Sequence, residues 1–528
     1  QLIHCSADSG LKIVDVWIDT VKVLDDFSFK QSSHFLNVSS FSISEISVCP
    51  KNSLDTTNAY LRTQLIFQNN SKNIGFLNGQ PSVGYSPSSP TSIAFKTNIL
   101  SEIVQPENTA ILVYQGTSDL LTTDFKEITL FDDFLAEGIS YNEVTNYTTL
   151  ESLNYRMQLS DSANSEVYRL IELKLLSLGF ADSAITLISA GFNVPTNNAN
   201  GPSLNLYISP PSGGDWIPLP ISKSKIQVIN NSLDPILSES DIYLGGSLLI
   251  SDLGFRSATS YLEIPAGLSQ PLSIAAGSSQ TIDDTLFSQL MTLEANKNYV
   301  YVLNGLANQN SNNFKPLSWS AFQSRSNANL GYNTDINLVH GALDAGALNI
   351  DVVSPTDFPI FSNINYSESS GYEEIPSAPY SFQLRASDDS QIFRKYAVDL
   401  SLSQAIGEAQ TWIISGLADT LFADSNSQIG IWVATNSGGP LKELSTITGM
   451  DEIAFPTFHL FPNPASQSIQ LSNSSNESIR ILSMDGRVMM ESSRSLQQID
   501  VSTWPNGVYI VIVESKSSRQ TQRITVIH

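Results

Sequence analysis

Leu2-Ile-His-Cys-Ser-Ala-Asp8, Leu112-Val-Tyr-Gln-Gly-Thr-Ser-Asp119, Val228-Ile-Asn-Asn-Ser-Leu-Asp234 and Leu338-Val-His-Gly-Ala-Leu-Asp344 are four versions of one phrase. Each is a short apolar strand followed by a turn that carries an Asp. A second strand follows each time: Val14-Asp15-Val16-Trp17, Asp124-Phe125, Asp241-Ile242-Tyr243 and Ile350-Asp351-Val352. Then come two aromatics six residues apart: Phe29/Phe35, Tyr141/Tyr147, Phe255/Tyr261 and Tyr366/Tyr372. A glycine closes a later apolar strand at Gly79, Gly191, Gly305 and Gly416, and it stands 44 residues past the second aromatic in every copy. Four equal intervals between matching residue types establish an internal repeat.

A longer period lies over the first. Copies two and four share a Ser-Gly-Gly turn, starting at Ser212 and Ser437, 21 residues past the repeat glycine. Copies one and three lack it and share Asn78-Gly79 and Asn304-Gly305 instead. The body is therefore two tandem pairs. Within each copy the local signals are strands: Tyr299-Val-Tyr-Val-Leu303, Ala184-Ile-Thr-Leu-Ile188 and Thr411-Trp-Ile-Ile-Ser415 are rich in β-branched and aromatic residues. One helical turn is expected between Leu173 and Ala184. Copies of about 110 residues with strands at short intervals predict immunoglobulin-like β-sandwiches. The fold expected is all-β: repeats at 1–109, 110–223, 224–334 and 335–456, then a small β-sandwich at 457–528. Residues six apart share a strand face, so each aromatic pair is expected to plug a core.

Composition agrees. Hydrophobic residues make up 41% of the chain, enough for packed cores, while charged residues are only 15%. The formal charge is −24. Residues 457–528 carry five acids and six bases, which leaves −25 on the body and marks a boundary near Thr457. An acidic body argues against nucleic acid or anionic lipid as partner. It permits weak divalent-cation binding, although a solvated acidic surface explains the charge as well. No apolar run approaches a membrane-spanning length.

Catalytic patterns are missing. The histidines His4, His34, His340, His459 and His528 are scattered, and no zinc, nucleophile-elbow, phosphate-loop or dinucleotide motif occurs. His4 and His340 share a repeat position with Gln115 and Asn230, as a hydrogen-bonding residue would and a catalytic base would not. Asp8/Asp15, Asp234/Asp241 and Asp344/Asp351 are pairs seven apart. Turn and strand-end roles suit them better than glycosidase chemistry, with calcium held between two such Asp residues as the rival reading. No catalytic residue, cofactor or metal site is assigned. Cys5 and Cys49 would form a disulfide in an oxidising compartment if their Cα atoms come close enough; two buried thiols are the other possibility.

The C-terminal segment holds Leu460-Phe461-Pro462-Asn463-Pro464-Ala465, Met484-Asp485-Gly486-Arg487, Pro505-Asn506-Gly507-Val508-Tyr509 and a final strand Arg523 to His528. The order of these motifs resembles the type A C-terminal sorting domain of the type IX (Por) secretion system of Bacteroidetes. The resemblance implies export through the inner and then the outer membrane to the cell surface or medium. It implies recognition by an outer-membrane shuttle barrel and translocon, and a surface protease that can remove the domain. Recognition is expected at Pro462, Asn463, Pro464, Asp485, Gly486, Asn506 and Gly507. It also implies a removed signal peptide, so Gln1 is expected to be a mature N-terminus. Asp-Ser/Thr-aliphatic triplets resemble the O-glycosylation pattern of such exported proteins, with acceptors at Thr20, Ser162, Ser183, Thr285 and Thr420. The body, over residues 1–445, resembles an uncharacterised duplicated β-sandwich family of secreted bacterial proteins, which lends a fold and little function.

The leading functional expectation is a non-enzymatic surface or secreted protein, acting in adhesion or as a structural subunit. The alternative is a carbohydrate-binding component of a surface complex, whose signature would be Trp216, Trp319, Trp412 and Trp432 exposed in one plane. A hydrolase would need a cleft with two carboxylates of divergent pKa, which the sequence does not show.

Overall fold

The computed structural model describes the chain apart from residues 101–105, 164–165, 308–314, 403–404, 420–426, 448–458, 473–477, 485, 494–495, 497 and 515–518. The fold is all-β, with tandem immunoglobulin-like sandwiches followed by a small sandwich at the C-terminus. The expected helical turn is Leu175–Leu178, closed by Gly179 in the left-handed conformation (φ 73°).

Every repeat copy uses the same two sheets. In copy one, strands Val21–Ser28, Ile13–Ile18, Ile43–Pro50 and Leu61–Ile66 make a four-stranded distal sheet. Leu2–His4, Asn73–Gln80 and Ser89–Thr97 form the other sheet, with Leu2–His4 parallel to Asn73–Gln80. Copy two repeats the plan: Asn108–Gln115 runs parallel to Ser183–Ala190, opposite the distal sheet of Phe134–Ser140, Thr122–Glu127, Asn154–Asp161 and Val167–Lys174. Copies three and four do the same with Lys223–Asn230 beside Asn298–Asn304 and Asn333–His340 beside Ala409–Ser415. The opening phrase is thus one strand of each parallel pair, and the strand ending in the repeat glycine is the other.

The glycine is explained by a close approach. Gly79, Gly191, Gly305 and Gly416 have φ of 127°, 95°, 98° and 109°. A Cβ there would lie 2.5, 2.5, 2.0 and 2.4 Å from the carbonyl oxygens of Pro90, Ser203, Pro316 and Gln428. Only glycine lets the next strand cross that close.

The chain divides into two compact units, the first built mainly on copies one and two, the second on copies three and four with the tail. Within the first unit the Ser-Gly-Gly turn explains the longer period. Gly214–Asp215 of copy two pairs with Gln31–Ser32 of copy one and completes its sheet. Ile3, Cys5 and Phe76 of copy one pack with Leu112, Tyr114, Ile188 and Trp216 of copy two in one buried cluster. The second unit repeats this: Gly439–Pro440 pairs with Ser257–Ala258, and Ile229, Val300 and Val302 pack with Val339, Ile413 and Ala434. Each pair is joined by a shared hydrophobic seam.

The aromatic pairs do not plug single-sandwich cores as expected. Phe29 lies beyond the end of Val21–Ser28, and Tyr366 lies in the turn between Phe358–Ile364 and Ser369–Pro376. Interrupted strands cannot hold both rings on one face. Most of these rings face the seam instead. Phe29 meets Trp216 edge-on with centroids 6.1 Å apart. Tyr141 donates to Gln80 of copy one at 3.1 Å. Tyr372 meets Phe322 edge-on and accepts the Arg325 N–H. Phe35 remains exposed beneath Lys72.

The C-terminal sandwich packs sheet His459–Phe461, Ser468–Ser472, Gln498–Asp500 against sheet Val488–Ser492, Ser478–Ser483, Gly507–Glu514, Arg519–Val526. Ile469, Ile479, Ile481, Val511, Ile524 and Val526 alternate inward along these strands and form its core.

Candidate functional site

The polar residue of the opening phrase holds the fold. His4 Nε2 bonds the Leu11 carbonyl at 2.8 Å, His340 Nε2 bonds that of Gly346 at 2.9 Å, and Asn230 donates to that of Leu237 at 2.8 Å. Gln115 donates to the Thr123 hydroxyl at 3.0 Å. Burial pushes both imidazoles down to about 4, so they are neutral bonding groups at ordinary pH.

The phrase's Asp is a loop clamp. Asp8 accepts N–H bonds from Gly10 and Ser82 (2.7 and 2.8 Å), and Asp119 from Asn193 and Val194 (3.0 and 2.8 Å). Asp234 takes Ile236 and Ala307 (3.1 and 2.8 Å), and Asp344 takes Ala418 and Asp419 (2.6 and 2.8 Å). In every copy the clamped backbone includes the loop just after the repeat glycine.

The second acid staples a β-bulge. Asp15, Asp124 and Asp241 accept the N–H of Asp26, Gly138 and Asp252 at 3.0, 2.7 and 3.0 Å. In copy four that place belongs to Asn349, which accepts Asn363 N–H at 2.6 Å, and not to Asp351. Asp351 instead pairs with Arg385. The seven-residue spacing of Asp344/Asp351 was therefore a coincidence of register: the second-type copies use a spacing of five. Asp15, Asp25 and Asp26 are grouped, but Lys22 bridges Asp15 to Asp25 and Lys51 pairs with Asp26.

Cys5 and Cys49 are not joined, which corrects the disulfide. Cys5 sits in the seam cluster, while Cys49 stands on the distal sheet opposite Asp15, and both are buried thiols. Trp216, Trp319 and Trp432 are each 6% exposed and Trp412 is fully buried, so they form no exposed stacking plane. Thr20 lies in an exposed turn; Ser162, Ser183 and Thr285 are half-buried, with the Ser162 hydroxyl bonded to Thr122 at 2.6 Å. Thr420 lies outside the described residues, as does Asp485.

The tail motifs come together. Gly507 is opposite Val526, and Ala465 bridges the same Val526. Ser483, which receives the Gly486 N–H at 2.9 Å, is opposite Tyr509. Sheet register thus brings the three turns, distant in sequence, to one end of the domain. Asn463 accepts Thr525 N–H at 2.9 Å and donates to Arg523 O at 3.2 Å. Asn506 accepts His528 N–H at 2.8 Å. Pro462, Asn463, Pro464, Gly486, Asn506 and Gly507 are all exposed on this bonded frame. Sequence reasoning named these residues but not their convergence, because register across a sheet is not written in local motifs.

The C-terminal sandwich thus presents one exposed end built from these turns. Residues 459–527 match the secretion system C-terminal sorting domain, and residues 224–351 match a domain of unknown function (DUF4397). The tail is therefore a type IX sorting domain, and it marks the chain for export to the cell surface or extracellular space. No curated protein matches the chain. Among solved structures, the Bacillus anthracis TIE protein is similar at 10% identity over 76% of this chain and 75% of that chain, with TM-score 0.14. PorZ, titled an essential bacterial surface component of the type-IX secretion system of Porphyromonas gingivalis, is similar at 10% identity over 96% of this chain and 71% of that chain, with TM-score 0.13. At these scores neither likeness bears on function. Among the described residues no helix is long and apolar enough to cross a membrane.

Proposed function

We propose that the chain is a non-enzymatic surface or secreted protein that acts in adhesion or as a structural subunit of the cell surface. One observation carries this reading: the recurring polar residues of the repeats, the positions where chemistry would be sought, are spent on backbone bonds. His4, Asp8, Asp119 and Asp344 hold loops in place. The burial of the four tryptophans speaks against the carbohydrate-binding alternative. The tail's partners, in this reading, are the shuttle barrel and translocon, with a surface protease cutting before it. The test is a binding screen of the full-length protein, immobilised and exposed to matrix proteins, partner cells and a glycan array, with hydrolase substrates assayed alongside. Saturable adherence to cells or matrix without turnover supports the proposal. Glycan binding alone, or turnover of any substrate, contradicts it.

A further inference from the structure

Copies two and four close one side of their sandwiches with a segment that has no counterpart among the described residues of copy one. In copy two, residues 217–222 run along the open side. Leu219 N–H bonds Leu206 O of one sheet at 3.0 Å, and Glu172 N–H of the other sheet bonds Pro220 O at 2.8 Å. Ile221 bridges Ile171. In copy four, Leu444 N–H bonds Ile431 O at 2.9 Å, Ala397 N–H bonds Ser445 O at 3.0 Å, and Thr446 bridges Tyr396. Ile221 and Thr446 both stand 30 residues past the repeat glycine. In copy one that count reaches Thr109, already inside the first strand of copy two.

The consequence shows in the burial of the equivalent edge strands. Under the closing segments Ile171, Leu173 and Tyr396 are fully buried. Along Leu61–Ile66 of copy one the residues alternate between half-buried and exposed, with none buried. Leu61, Leu65 and Phe67 on this edge, and Ile93 and Phe95 on the other sheet, are half-buried around the core. Ile66 is 58% exposed. Among the described residues the edge shows none of the usual protections: it has no bulge or proline, and Arg62, its one charge, is tied to Glu45. Among the described residues no other strand pairs with it.

We propose that the slot between Leu61–Ile66 and Ser89–Thr97 receives an extended segment of another polypeptide, with apolar residues at alternate positions, as Ile217-Pro-Leu-Pro-Ile221 has. It would lie where the built-in segments of copies two and four lie, joining an edge by backbone bonds and filling the slot with alternate side chains. This goes beyond the adhesive reading, and its test needs no cells.

The test is amide hydrogen exchange on the full chain, with a synthetic peptide of residues 216–223 as probe and a scrambled peptide as control. The result expected is about tenfold slower exchange over 61–66, saturable and absent with the scrambled peptide. Thr63→Pro and Gln64→Pro each remove one donor, and neighbouring strand amides point to opposite edges. One of the two variants therefore keeps the fold and abolishes the protection. Three results overturn the proposal: unchanged exchange over 61–66 at saturating peptide; protection confined to 167–174, the peptide having replaced the built-in segment; or protection that rises with protein concentration in the absence of peptide, which would make a second copy the occupant.

Discussion

Arg256 lays its guanidinium over the ring of Trp432, 3.4 Å from the centroid, and Lys30 stands 4.5 Å over Tyr207 at the matching place in the first pair. In both pairs the first-type copy supplies the cation and the second-type copy the ring. A cation over an aromatic face, partly desolvated in a seam, contributes about 1–2 kcal/mol. A double-mutant cycle on Arg256→Ala and Trp432→Ala is expected to give a coupling of about 1 kcal/mol in denaturant unfolding. Additive effects would mean that the two side chains contribute independently and that the stack adds no pairwise stabilisation.

The Ser-Gly-Gly turn gives a contrast between neighbours. Gly213 has φ 81° and a Cβ there would lie 2.5 Å from Ser33 O, whereas Gly214 has φ 99° and open space. Gly214→Ala is expected to cost about 1 kcal/mol from backbone strain alone. Gly213→Ala adds a collision with copy one and is expected to cost about 3 kcal/mol or more. Equal losses in chemical denaturation would show that the turn does not press on copy one.

Acid should weaken the repeats through His4 and His340. Burial places both at about 4, below the ordinary value of 6.5. The unfolded chain therefore takes up the proton first. Their contribution is fully present above about pH 6.5 and is lost as pH falls towards 4, at most about 3 kcal/mol each. The repeat itself supplies neutral replacements: His4→Asn, as at Asn230, and His340→Gln, as at Gln115. The double variant is expected to flatten the stability profile between pH 6.5 and 4. A profile unchanged by the two replacements would assign the acid sensitivity elsewhere.

Asn463 ties its turn to the last strand by the bonds to Thr525 and Arg523. Asn463→Ala removes both, a loss of about 1–2 kcal/mol of local stability. Amides of 523–527 are expected to exchange about tenfold faster while the strands Ser478–Ser483 and Gly507–Glu514 keep their protection. Uniform loosening of the whole domain would mean that the side chain supports the core as well as the turn.

Much of the fold was legible because the repeat made four independent statements of one pattern. The glycine, the strand that precedes it and the pairing of copies could be read from interval and residue type alone. The role of the Ser-Gly-Gly turn could not, since it acts on Ser33 of a different copy. The aromatic pairs were misplaced for a related reason: periodicity places residues on a strand face only while the strand continues, and these strands break between the rings. Asn349 was missed because Asp351, two residues on, satisfied the expected spacing. In the tail Pro462, Asn463, Pro464, Gly486, Asn506 and Gly507, all named from the sequence, are exposed, and Asp485, named with them, lies outside the described residues. The common location of the turns had to come from the register of Val526 with Gly507 and Ala465.

The most direct test of the account is where the chain goes with and without residues 459–528. Surface proteolysis and fractionation of native cells should place the full chain at the surface or in the medium. The truncated chain, whose repeats have their own cores, should be folded and retained inside the outer membrane. Equal export of the two forms would contradict the assignment of the tail as the signal.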